Sequence, residues 1–247
     1  MKANSPENEN GGTAKGMDGS ELAREAGRLG RDKATPSIGL LVCWSCRGPV
    51  EAAAPFCATC QAVQPPGQSD HFARLGLSPD YVVDPALLDR RYFDRQRLLH
   101  PDRFATRTPR ERALSQQQAT ALNEAYETLK DPLRLADYIL LLRRNAANPD
   151  GCNLVNDPAL LTEALEMREE LAEAGSPTEI AVLEERAGRD IEACVADLAD
   201  AFAADDLEAA SRLATRLKYL RKLAEDCRAR RLKFDGQRGQ AFPAARE

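Results

Sequence analysis

Apolar side chains recur every three to four residues along most of this chain, the period of amphipathic helices. Asp70-His71-Phe72-Ala73-Arg74-Leu75-Gly76 predicts a short helix stopped by glycine. Asp84-Pro85 supplies a capping carboxylate and then proline at the first helical position. Leu88, Tyr92 and Leu99, with Leu87 and Phe93 alongside, form the apolar stripe of the helix that follows. A third helix, within Pro109 to Lys130, sets Leu114, Ala121, Ala125 and Leu129 on one face, widened by Leu122 and Tyr126. Asp131-Pro132 ends it and opens a fourth, with Leu135, Ile139 and Leu142 flanked by Tyr138 and Leu141, expected to run out by Asn145. Asn148-Pro149-Asp150-Gly151 then breaks the chain and marks a domain boundary.

Three further helices follow. Asp157-Pro158 caps the first, which reaches about Ala174; Ser176-Pro177-Thr178-Glu179 has the capping-box form for the second. Asp205-Asp206-Leu207-Glu208 opens the third, expected to end near Leu232, with Gly236 and Gly239 in a loose tail over 236–247. For residues 157–235 an antiparallel three-helix bundle is the economical fold. Leu160, Ala164, Met167 and Leu171 make the core stripe of its first helix, and Ala210, Leu213, Leu217, Leu220, Ala224 and Cys227 that of its third. Leu161 and Leu165 lie about 100° round from the first stripe. Tyr219 and Leu223 fall beside the second. Either the core faces are broad, or Leu161, Leu165 and Tyr219 form an exposed docking patch.

Composition agrees with an all-α fold. The chain has 247 residues, enough for one or two domains, and only 5% are aromatic; Ala and Leu dominate the apolar set. A net charge of −5 weighs against a nucleic-acid partner. No apolar run approaches the roughly 18–20 residues needed to span a bilayer, so no membrane partner is expected. Residues 1–38 are polar and read as a disordered tail without a secretory h-region. Glu7, Glu9, Asp18, Glu21 and Glu25 argue against a transit peptide and favour the cytoplasm; Arg24, Arg28 and Arg31 keep the mitochondrial matrix open.

Candidate chemistry stands at two places. Cys43-Trp44-Ser45-Cys46 and Cys57-Ala58-Thr59-Cys60 are separated by ten residues, within a module spanning 39–64. Each CxxC turn aims two thiolates at one point, and four soft sulfurs suit zinc, or less often iron. Two disulfides or a redox dithiol are the alternatives, and a chain without an export signal favours metal. Gly48-Pro49 and Pro55 supply turns for a short hairpin between the pairs. Four thiolates leave no open coordination position, so the site is structural, holding together a module too small to bury its own core. Gln64-Pro65-Pro66-Gly67-Gln68 reads as a linker to a domain spanning 69–147.

The second place is His100-Pro101-Asp102, between the second and third helices; the chain has only one other histidine, His71. Residues 90–99 carry Arg90, Arg91, Arg95 and Arg97 against Asp94, a local net charge of +3. By default such a face is merely solvated. His100 and Asp102 as an acid–base pair would make an enzyme, but they lie two apart on a turn with no nucleophile or phosphate loop beside them.

A short helix, a basic second helix, His-Pro-Asp and a third helix carrying Asn123-Glu124-Ala125-Tyr126-Glu127-Thr128-Leu129 together resemble a J-domain. His100-Pro101-Asp102-Arg103-Phe104, Pro132 to Tyr138, Leu165 to Leu171 and Ala201 to Leu220 resemble the HscB family, J-proteins of iron–sulfur cluster assembly. The resemblance covers about residues 69–232, and the tetracysteine segment is similar to the extension on mitochondrial members. It implies an ATPase-activating co-chaperone rather than an enzyme. His100, Pro101, Asp102, Arg90, Arg91, Arg95, Arg97 and Arg103 would contact a DnaK/HscA-type chaperone, the basic helix by salt-sensitive attraction to an acidic surface. Leu161, Thr162, Leu165, Glu166, Arg168, Glu169 and Tyr219 would hold an IscU-type scaffold, with zinc at Cys43, Cys46, Cys57 and Cys60. Thr162 replaces a larger apolar residue of the family pattern, and Tyr219 an aromatic that is often Phe. The rival readings are a zinc-finger-type nucleic-acid binder and a general DnaJ-like protein-binding adaptor.

Overall fold

The structure, a computed structural model, describes residues 40–52, 54–147 and 157–240. The expected tail over 1–38, the break at 148–151 and residues 241–247 lie outside the described residues. Five helices begin the same way: a side chain that can cap, then proline. These are α2 (Pro85–Leu99), α3 (Pro109–Lys130), α4 (Pro132–Ala147), α5 (Pro158–Glu173) and α6 (Pro177–Ala203). Asp84, Thr108, Asp131, Asp157 and Ser176 each accept from backbone N–H groups of the first turn, where proline lacks a donor at no cost. The short α1 (His71–Leu75) is capped by Asp70 and closed by Gly76 in the left-handed region, φ 68°.

The capping box sits elsewhere than the sequence reading put it. Thr108 and Glu111 make the reciprocal pair at the start of α3. At α6 the Ser176 hydroxyl caps Glu179, but the Glu179 carboxylate accepts from Gly175 N–H, one residue before the cap. The last helix, α7 (Leu207–Gln240), passes Leu232 and runs through Gly236 and Gly239. Just before Leu232 the helix is tied to its neighbours: Arg230 donates to the Ala172 and Ala174 carbonyls at the end of α5, and Arg228 and Arg231 pair with Glu184.

A two-stranded antiparallel sheet, β1 (Leu40–Val42) and β2 (Pro49–Glu51), precedes the helices. It encloses the first CxxC turn rather than lying between the two pairs. Pro49 falls inside β2, tolerated at the edge of a two-stranded ladder.

One apolar core runs through the helices. Phe72, Leu75, Leu88, Leu122 and Leu129 fill the α1–α3 end, and Ile180, Leu198, Leu217 and Leu220 the α6–α7 end. Burying each such side chain contributes roughly 1.5–3 kcal/mol. Helix α4 belongs to both ends, packing on α3 and on α7. Polar ties reinforce it. Arg221 holds Asp131 with two bonds of 2.7 and 2.9 Å, Lys218 reaches Asp137 at 3.1 Å, and Arg144 donates to the buried Ser211 hydroxyl. Burial alone would raise the Asp131 carboxyl; the N–H groups of Arg134 and Leu133 and the Arg221 guanidinium outweigh it and hold it below the usual carboxylate range. The two ends therefore share α4 as a common seam. No helix among the described residues is long and apolar enough to cross a membrane.

Candidate partner surfaces and metal centre

His100 ends α2 and starts a 3-10 turn, Pro101–Phe104. Two buried apolar residues bracket the turn, Leu99 and Phe104. Ser115, fully buried on α3, donates its hydroxyl to the Leu99 carbonyl at 2.8 Å and so pins the residue before His100. His100 Nδ1 accepts from Asp102 N–H at 3.3 Å and lies 3.6 Å from the Asp102 carboxylate. That bond assigns the neutral ring's proton to Nε2. The Asp102 side chain is 90% exposed and that of His100 50%. The backbone is fixed while the polar groups face water, an arrangement suited to contacting another surface.

Arg90, Arg91 and Arg97 stand exposed on α2, and Arg103 on the turn. Among the described residues none of the four forms an ion pair. Arg95 differs. It is half-buried against Gly76, where a Cβ would meet its Nη2 at 3.0 Å. Desolvation, with Arg91 and Arg74 nearby, lowers its pKa. The helices beneath are joined by the Tyr92–Tyr126 stack at 4.0 Å and by bonds from Tyr92 to Asn123 and Tyr126 to Asp89. His71 is a packing residue: its ring stacks on Tyr138 at 4.3 Å, and burial draws its pKa below the ordinary value.

The four cysteines converge. Cys43 and Cys60 sulfurs are 3.7 Å apart, Cys46 and Cys57 3.6 Å, and all four lie within 4.8 Å of one another. Disulfide sulfurs would be about 2.05 Å apart. A tetrahedron with metal–sulfur bonds of about 2.3 Å has edges near 3.8 Å, so the set fits a tetrathiolate metal site. Both turns are built alike. Arg47 N–H bonds the Cys43 carbonyl and Gln61 N–H the Cys57 carbonyl, and both residues take left-handed backbone, φ 60° and 58°. The turns aim N–H groups at sulfur, Ser45 at Cys43 and Gly48 at Cys46. Desolvation pushes the Cys43 thiol up, but the Cys46 and Ser45 amides with the neighbouring thiols bring it down to about 6. The Cys60 and Thr59 amides likewise draw Cys57 down. Cys46 goes the other way: the Gly48 amide lowers it, but the Cys60, Cys57 and Cys43 thiols and burial outweigh that and push it up to about 12. Thiolate, the form that binds metal, is thus favoured at Cys43 and Cys57.

On the bundle, Leu160, Met167 and Leu171 are buried, whereas Leu161 and Leu165 are 47% and 59% exposed. The core is not simply broad. Leu161, Leu165, Ala164 and Met167 of α5 and Tyr219 and Leu223 of α7 line a cleft of about 440 Å³. Arg168, Lys222 and Asp226 complete its lining. Thr162, Glu166 and Glu169 are exposed on α5 outside that lining, the Thr162 hydroxyl turned back to the Pro158 carbonyl. Behind the cleft, Arg216 grips Glu163 with three bonds of 2.8–3.2 Å and ties α5 to α7. Sequence reasoning missed Lys222, Leu223 and Asp226 as cleft residues; their steps of three and four from Tyr219 were the available signal.

Comparison with known proteins bears on the family of the chain. The chain is 31% identical over 194 residues to the human iron–sulfur cluster co-chaperone protein HscB, covering 77% of this chain and 82% of that protein. The chain belongs to the HscB family of iron–sulfur cluster co-chaperones. The mouse HscB is 32% identical over 187 residues, 74% of this chain and 80% of its own. A family model described as the HSCB C-terminal oligomerisation domain matches residues 156–228. The crystal structure of human HscB superposes with a TM-score of 0.70 at 30% identity, covering 78% of this chain and all of that one. Vibrio cholerae HscB gives 0.59 at 31%, covering 67% and 99%. As a family member the chain is an iron–sulfur cluster co-chaperone.

Proposed function

We propose that this HscB-family protein activates a DnaK/HscA-type ATPase through His100-Pro101-Asp102 while presenting an IscU-type scaffold held in the α5–α7 cleft. The observation carrying this is the pairing, across the α4 seam, of an exposed, backbone-pinned His-Pro-Asp turn with an exposed apolar cleft. Arg90, Arg91, Arg97 and Arg103 meet an acidic chaperone surface and orient the turn, and Arg95 sets the angle between α1 and α2. Pro101 and Asp102 present the backbone and carboxylate of the turn, with no chemistry of their own. Leu161, Leu165 and Tyr219 bury apolar scaffold side chains, and Thr162, Glu166, Arg168 and Glu169 form the polar rim. Zinc, held by Cys43, Cys46, Cys57 and Cys60, supplies folding energy to the module rather than reactivity.

Steady-state ATP hydrolysis by such a chaperone, with and without IscU, tests the reading. Addition of the protein raises the rate, more so with scaffold present. Replacing His100, Pro101 and Asp102 by alanine returns the rate to that of chaperone plus scaffold alone. Normal stimulation by that variant overturns the proposal.

A further inference from the structure

The tetracysteine module is bolted to helix α3 by residues outside the ligand set. Gln64, 5% exposed, donates its Nε2 to the Ala62 carbonyl at 2.7 Å and to Cys43 Sγ at 3.4 Å. The Ala62 carbonyl can only accept, so the amide nitrogen, not its oxygen, faces the sulfur. The Gln64 backbone carbonyl in turn accepts from Gln118 Nε2 at 2.9 Å, and Gln118 is 4% exposed on α3. One turn and two turns earlier on that face lie Leu114, buried in the core, and Arg110, whose guanidinium sits 4.4 Å over the Trp44 ring. Trp44 stands within the first CxxC turn, and its indole N–H bonds the Val63 carbonyl at 2.7 Å. The same stretch of α3 carries Ser115, which pins Leu99 before the His-Pro-Asp turn.

We infer that Gln64 is a positioning residue of the metal centre, and that with Gln118 it couples metal occupancy to the rigidity of α3 and of the His100–Asp102 turn. The inference rests on the reading of the four cysteines as metal ligands. A bound metal fixes the Cys43 sulfur in one position among the four ligands, so the Gln64 N–H···S bond is held in one geometry instead of following a free side chain. Metal therefore tightens the hold of Gln64 on Cys43, and the buried Gln118 bond passes that order to α3. By linkage, order in α3 raises metal affinity by the same factor. The module is then a brace for the chaperone-facing surface.

The full chain and Zn²⁺ provide the test. Competition against a chromophoric chelator gives the zinc affinity, and Co²⁺ substitution reports tetrathiolate geometry by its visible absorption. Gln64→Met and Gln64→Glu both keep the size of the side chain and remove its donor. Each is expected to lose roughly 10- to 100-fold in zinc affinity, the usual effect of removing a hydrogen-bond partner behind a metal ligand, with the tetrathiolate spectrum retained. Wild-type affinity in both variants overturns the role of Gln64. A wild-type chain that takes up no Zn²⁺ or Co²⁺ instead overturns the metal reading itself. Hydrogen exchange measures the coupling: Zn²⁺ is expected to slow exchange of amides in 99–118 several-fold in the wild type and markedly less in Gln118→Leu. Equal slowing in the two proteins, or none in the wild type, overturns it. Gln118→Met repeats the measurement should the leucine variant melt early.

Discussion

The two partner surfaces differ in how they are made. The His100–Asp102 turn is one short local segment, held from behind by backbone-directed contacts: Leu99 and Phe104 in the core and the Ser115 bond to the Leu99 carbonyl. Its outward chemistry is polar and positive. The α5–α7 cleft is assembled from side chains nearly sixty positions apart, Leu161 and Leu165 on one wall and Tyr219 and Leu223 on the other. Its outward chemistry is apolar, and the Arg216–Glu163 clasp lies behind it. A surface made by one segment tolerates change elsewhere and depends on its own backbone. A surface made by two helices depends on their spacing and loses little when one backbone bond goes.

The comparison breaks first at the cleft. Replacing Leu161 and Leu165 by alanine is expected to weaken scaffold binding roughly 30-fold, about 2 kcal/mol, from the exposed leucine area left unburied in the complex. Because both are half-exposed, melting should hold within a degree or two and stimulation without scaffold should persist. A large fall in melting temperature would make the pair core residues and sink the docking role. Next comes the turn. Ser115→Ala orphans the buried Leu99 carbonyl and should cost about 1–2 kcal/mol in chemical denaturation. It should also reduce chaperone stimulation several-fold while leaving scaffold affinity intact. Unchanged stimulation would show that the turn needs no brace.

Salt separates the surfaces more gently. Raising salt from 50 to 300 mM should raise the chaperone concentration for half-maximal stimulation roughly fivefold and scaffold Kd less than twofold, since screening acts on the arginines rather than on apolar area. Equal sensitivity of both would remove the electrostatic contrast. The smallest effect concerns pH. Burial keeps His71 neutral, so its folded-state pKa lies below the unfolded value near 6.5. The unfolded chain then binds more protons as pH falls through that value, and stability present at pH 7 declines below about 6.5. His71→Phe, which retains the stack on Tyr138, should flatten that decline in melting temperature between pH 7 and 5. An identical slope in both proteins would assign the acid sensitivity to other groups.

Legibility followed how local each cause is. Helix starts were readable because a capping oxygen and a following proline act within one turn; Thr108-Pro109-Arg110-Glu111 carries the same signal as Ser176-Pro177-Thr178-Glu179, and only the packing around each decides which closes the reciprocal box. The cysteine spacing was readable because each CxxC turn is self-contained. The hairpin was not, since β2 pairs with a strand before the first cysteine rather than after it. Arg95 read like its neighbours and is half-buried because α1, 20 residues earlier, closes over it at Gly76. The end of α7 was not legible because Gly236 and Gly239 disfavour helix locally, yet the helix continues through both to Gln240.

By itself the sequence determined the seven helices of the described residues, their buried stripes, the tetracysteine set and the His-Pro-Asp turn, because period, capping and spacing act over one or two turns. Only the tertiary structure decided that Leu161 and Leu165 stay exposed across a cleft from Leu223, that Ser115 pins the turn, and that Gln64 and Gln118 join the cysteine module to α3. Those contacts link residues far apart in the chain, and which side of a helix meets a neighbour depends on how helices pack, which no single helix's pattern encodes.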